Sequence, residues 1–204
     1  MQKGRSVIDI PGFWGGTRRL YFQPEGLTIE RLKSFDVSAF LPADDISGFR
    51  FETKWLRGYK FAIGRQYSVD IQRFCGSVTS LKLKSVYGIK KEQYERIWND
   101  ILQLLWHHYF INLLNYYREL KNMGQYFELA GVQFHSYGIG WENQVNMFWH
   151  EIAMASYNTY FMIYRAGYNK HRKSCSYAAD WNAVVLQTLL QEIIEEEKEL
   201  KKSL

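Results

Sequence analysis

Twice along this chain of 204 residues, the spacing of apolar side chains changes from every second position to every third or fourth. The first spacing suits strands and the second suits helices, so an order of strands then helix, written twice, constrains the fold most. From Arg19 to Ser85 the segments "LYFQPEGLTIERL", "GFRFETKW", "YKFAIG", "YSVDIQ" and "VTSLKLKS" alternate or run apolar over short spans, with Gly or Pro nearby. In "SLKLKS", Leu81 and Leu83 fall on one face and Lys82 and Lys84 on the other, which predicts a half-buried antiparallel strand. From about Lys91 to Met123 a stripe of Tyr94, Ile97, Trp98, Ile101, Leu102, Leu105, Trp106, Tyr109 and Leu113 predicts one long helix. Gly124 is placed to cap it.

Strands resume in "YFELAGVQFHSYGIGW", "NMFWHEIAM" and "TYFMIYRAG", and "YNKHRKS" reads as a basic loop. A last helix is expected to open near Ser176, a good N-cap residue, with Asp180 in its first turn, where negative charge is favourable.

Paired phrases support a repeat. "YERIWNDILQLL" from Tyr94 matches "YAADWNAVVLQTLL" from Tyr177, each with Trp-Asn four residues after the Tyr and paired aliphatics behind. "FQPEGLTI" from Phe22 matches "FHSYGIGW" from Phe134, and Asp45-Ile46 matches Glu151-Ile152. The offsets are 112, 106 and 83 residues, so the first half is the longer copy. A faithful repeat would place Trp98 and Trp181 at equivalent buried positions.

A Gly-centred turn after an aromatic strand (Gly26, Gly138), an acidic residue plus Ile (Asp45-Ile46, Glu151-Ile152), further hairpins and a closing amphipathic helix resemble the bacterial pleckstrin-homology-like (PH-like) family. In "NMFWHEIAMASYNTYFMIY", Trp149, Glu151 and Ile152 stand at the positions of that family's strand motif; the first half has Ala43 where the second has Trp149. The resemblance implies an α+β protein of two PH-like halves, each a curved antiparallel sheet closed by a helix, over residues 18–122 and 125–198. It also implies a scaffold that binds proteins, peptides or lipid headgroups and rarely does chemistry. Fold analogy assigns no ligand by itself.

Composition bears on function more weakly. An apolar fraction of 47% with 17% aromatics supplies a core, and a net charge of +5 permits an acidic partner without requiring one. Cys75 and Cys175 form no C-x-x-C, which excludes a metal knuckle and favours free thiols in a reducing cytoplasm. No run of apolar residues is long enough to span a bilayer. The five His carry no zinc-binding spacing, so neither metal nor cofactor is expected. Asp44, Asp45, Asp70, Glu151 and Asp180 sit in no catalytic motif, and catalysis is not expected.

The stretch richest in binding chemistry is "KWLRGYKFAIGR", where Lys54, Arg57, Lys60 and Arg65 interleave with Trp55, Tyr59 and Phe61. Cations for carboxylates or phosphates, and rings for stacking or a membrane interface, make it the candidate partner-binding surface. The expectation is a non-catalytic, cytoplasmic protein-binding module, an adaptor or assembly subunit of a larger bacterial complex. One alternative is an immunity or inhibitor protein that binds a toxin. Another is a binder of nucleic acid or anionic lipid headgroups through the same basic hairpin.

Overall fold

The computed structural model describes residues 6–12, 16–31, 38–59, 61–142 and 144–203. They divide into two compact units after Asn112. The protein is mixed α+β, with four antiparallel sheets among the described residues.

In the first unit β1 (Ser6–Pro11), β2 (Thr17–Gln23), β3 (Gly26–Arg31) and β4 (Ala39–Pro42) pair in chain order as one sheet. A single 3-10 turn, Ala43–Asp45, leads to a second sheet of β5 (Ile46–Arg57), β6 (Ala62–Arg73) and β7 (Val78–Val86). The helix α1 (Lys91–Leu105) follows, continued by a π-turn at Trp106–Phe110 and by α2 (Ile111–Asn122), within which the division between units falls. The alternation predicted for β7 is present, with Leu81 and Leu83 buried and Lys82 and Lys84 exposed. Leu20, Phe22, Leu27 and Leu41 from the first sheet and Phe49, Val69 and Ile71 from the second are buried, as are Tyr94, Trp98, Ile101 and Leu105 of α1. Phe49 and Phe110 rings meet with centroids 3.8 Å apart.

The π-turn widens the helix by one residue per turn and sets the consecutive residues Tyr109 and Phe110 both inside the core. The Tyr109 hydroxyl then donates to the Gln23 carbonyl at 3.0 Å and accepts the Gln23 N–H at 3.4 Å. The predicted stop is present: Gly124 has φ 66°, its N–H donates to Lys121 O, and the Gln125 N–H donates to Leu120 O. That is a Schellman end.

The second unit repeats the order of elements. β8 (Phe127–Leu129), β9 (Val132–His135), β10 (Gly138–Trp141) and β11 (Gln144–Phe148) form one sheet, and a 3-10 turn at Trp149–Glu151 leads to the next. That sheet contains β12 (Ile152–Ser156), β13 (Tyr160–Arg165) and β14 (Tyr168–Ser176), and α3 (Ala183–Lys202) follows. Gly26 and Gly138 open the third strand of their sheets, and at each a Cβ would run into a backbone carbonyl of the fourth strand, that of Leu41 or Met147. Asp45-Ile46 and Glu151-Ile152 both stand where the 3-10 turn enters the second sheet.

Four expectations need correction. Ser6–Pro11 is a strand paired with β2, ahead of the first strand expected from Arg19 onward. "YNKHRKS" is no loop but most of β14, paired along β13 from Tyr160↔Ser176 to Arg165↔Tyr168. Ladder hydrogen bonds, which need no apolar side chain, hold it there. The last helix begins at Ala183; Ser176 instead caps the turn before it, its Oγ accepting from the Ala178 and Ala179 N–H while Asp180 accepts the Ser176 N–H at 2.7 Å.

The fourth concerns the twin Trp. Trp98 lies within α1 and is buried, whereas Trp181 precedes α3 in a turn and is half-buried. The helices themselves match in another register, because each opens after a residue held in the left-handed region, Lys90 at φ 57° and Asn182 at φ 61°. Counted from those residues, Tyr94, Trp98 and Ile101 correspond to Leu186, Leu190 and Ile193, all buried. The similar phrases are therefore out of step with the helices, since Tyr94 follows the left-handed Lys90 within α1 whereas Tyr177 precedes the left-handed Asn182 in the turn.

Candidate functional site

The hairpin of β5 and β6 carries the side chains singled out from sequence, and its register decides which of them meet. Trp55 lies opposite Arg65, and Lys54 opposite Gln66. The Arg65 guanidinium stands 4.3 Å from the Trp55 ring centroid, donates to Glu95 Oε1 of α1 at 2.8 Å, and shares that oxygen with the Tyr67 hydroxyl at 2.9 Å. Burial, and then the bond to Glu95, raise the pKa of Tyr67. Trp55 and Arg65 therefore lie on the face that bears α1.

Successive residues of a strand point to opposite faces, so Lys54 leaves on the other side. There Lys54 Nζ meets Glu52 at 3.0 Å, beside a network in which Arg50 and Ser80 both donate to Asp70, at 2.9 and 2.6 Å. Arg57 and Tyr59 are exposed near the turn, Tyr59 almost completely at 96%. Lys60 lies outside the described residues. The candidate residues are thus distributed over two faces and a tip and do not form a single surface.

Two exposed residues that sequence reasoning passed over, Tyr87 and Ile89, lie at the same end of the sheet, in the turn between β7 and α1. The available signal was their position between a half-buried strand and a helix, where a turn is ordinarily polar.

A concave site exists in the second unit. Between β12 and α3 lies a groove of about 430 Å³, lined among others by Trp149, His150, Met154, Ile194, Lys198 and Lys201. β12 pairs with β13 and, among the described residues, is an edge strand of its sheet. Trp149 is fixed by its indole N–H, which donates to Ser136 O at 3.2 Å. Glu151 accepts from the Phe148 N–H at 3.1 Å and pairs with Arg165 at 3.3 Å. Trp149 was legible as a motif position, but Ile194 and Lys198 come from a helix much later in the chain and carry no local signal.

Of the five carboxylates considered for catalysis, Asp44 is exposed and the other four have a structural partner. Asp45 is held by Arg73, Asp70 by Arg50 and Ser80, Glu151 by Arg165, and Asp180 by the Ser176 N–H. None of these bonds joins two carboxyls to each other. Among the described residues no three His, Cys, Asp or Glu are grouped as a metal site would need. Also among them, no helix is long and apolar enough to cross a membrane.

Compared with family models, curated proteins and solved structures, the chain matches none.

Proposed function

We propose that the protein is a non-catalytic binding module, built of two PH-like halves, that takes up an extended protein segment in the groove between β12 and α3. One observation carries this reading: β12, an edge strand of its sheet among the described residues, lines that groove through Ile152, Ala153, Met154 and Ser156. An edge strand presents unpaired backbone N–H and C=O groups, and an incoming strand satisfies them while its alternate side chains enter the groove. Met154 and Ile194 supply apolar contact for one such side chain, and Lys198 and Lys201 supply cations for an acidic neighbour. Affinity would come from the backbone and selectivity from those four side chains. Such a module suits an adaptor or assembly subunit.

Selection from a random peptide library against the whole chain tests the reading. Peptides with an apolar residue near an acidic one should be recovered, and their affinity should fall about tenfold or more for Ile194→Glu, whose far-UV circular dichroism stays that of the wild type. Recovered peptides indifferent to Ile194→Glu, or an empty selection, would sink it.

A further inference from the structure

We propose that the end of the β5–β6–β7 sheet docks on an anionic lipid bilayer. This surface belongs to the first unit and is independent of the groove. Two turns converge there. In the β5–β6 turn the Gly58 N–H donates to Phe61 O at 2.8 Å, and the turn after β7 is tied to the hairpin by the Tyr87 N–H, which donates to Ile63 O at 2.7 Å. Only glycine fits at position 64 between them, since a Cβ there would run into Ser85 O.

The two turns present Tyr59, Tyr87, Phe61 and Ile89 at exposures of 96%, 73%, 64% and 52%, with Trp55 just behind. Large apolar side chains scattered singly over a surface need no explanation, but a cluster at one end of a sheet marks an interaction site. Cations surround it. Arg57, Lys84, Lys90 and Lys91 are exposed, whereas of the nearby acidic residues Glu52 is taken by Lys54 and Glu95 by Arg65, leaving Glu92 in the first turn of α1. The balance at this end is positive.

Shape selects among anionic partners. A protein interface of ordinary size needs about 800 Å² on each side, and stacked nucleic-acid bases need ring faces arranged along a groove. Here the rings stand in two turns at one end of a sheet, each more than half exposed. Exposed Tyr, Phe and Ile enter the headgroup layer, with lysines and arginines level with the lipid charges.

Sedimentation of the full chain with vesicles provides the test. Vesicles containing phosphatidylglycerol should carry the protein down and phosphatidylcholine alone should not, with binding that weakens as salt rises. Tyr59→Ser with Phe61→Ser, and separately Arg57→Glu with Lys90→Glu, should each lower partitioning about tenfold or more. These positions are exposed, so the near-ultraviolet dichroism of the core should persist, and the salt series reads the charge dependence without any substitution. Ile194→Glu should bind vesicles as the wild type does, which separates this surface from the groove. No binding to anionic vesicles, undiminished binding by both pairs of substitutions, or capture of a single-stranded oligonucleotide in place of vesicles would overturn the proposal.

Discussion

Arg73, the last residue of β6, donates from Nε to Asp45 Oδ2 at 2.6 Å, and Asp45 closes the 3-10 turn that feeds the same sheet. The backbone doubles the tie, since the Phe74 N–H donates to Asp45 O at 3.0 Å. In the second unit Arg165 ends β13 and meets Glu151, while the Ala166 N–H donates to Glu151 O at 2.7 Å. An acidic residue at the turn and an arginine at the end of the middle strand thus lock each junction between sheets. This correspondence ties the two units more firmly than the Trp-Asn phrase does, because it recurs in bonding as well as in sequence.

Asp45→Ala should therefore lower stability by about 1 kcal/mol, the pair being only partly shielded from water. Urea unfolding measures it. A double-mutant cycle with Arg73→Met should recover a coupling of similar size; additive effects would mean that the two side chains do not interact.

Gly138→Ala should cost about 2 to 4 kcal/mol, because the added methyl has the Met147 carbonyl in its way and one sheet strand must shift. Gly167→Ala is the contrast. At φ 76° with open space around it, that position pays only backbone strain, about 1 kcal/mol. Thermal unfolding of the two variants should separate them clearly.

The two thiols should differ sharply in reactivity. Cys75 is exposed, and the Ser77 hydroxyl 3.1 Å from its sulfur favours the thiolate and lowers its pKa. Burial pushes Cys175 up to about 12. At neutral pH a water-soluble disulfide reagent should modify Cys75 in the native protein and Cys175 only after unfolding, and Ser77→Ala should slow the first reaction. Equal rates in the native state would contradict the burial of Cys175.

Tyr109 links the π-turn to alkaline stability. Burial raises its pKa from 10.0 to about 12, so the folded state holds the phenol proton longer than the unfolded chain does. The stabilisation is complete below pH 10.0, where both states are protonated, and is lost as pH rises toward about 12, since only the unfolded chain has then shed the proton. Denaturant midpoints measured across that range should fall with pH, and less steeply in Tyr109→Phe. At neutral pH the same substitution should cost about 1 to 2 kcal/mol, because the backbone N–H and C=O of Gln23 lose a shared partner.

Much of this architecture is written locally. The Leu81 and Leu83 alternation, the stripe from Tyr94 to Leu105, the stop at Gly124, and the Gly and acidic-Ile pairs each depend on a few neighbouring residues, and all take the predicted form or recur at matching places. Periodicity and backbone conformation suffice for such features. What tertiary structure alone decided is which side chains share a surface. Trp55 and Lys54 are adjacent in sequence yet lie on opposite faces, Arg65 is drawn to Glu95 of a helix thirty residues later, and β14 is a strand only because β13 pairs with it. The groove joins a turn to a distant helix. Strand pleating separates neighbours in the chain, and long-range packing joins residues far apart in it, so the fold and its repeat are legible one segment at a time while a binding surface becomes legible only when the segments are assembled.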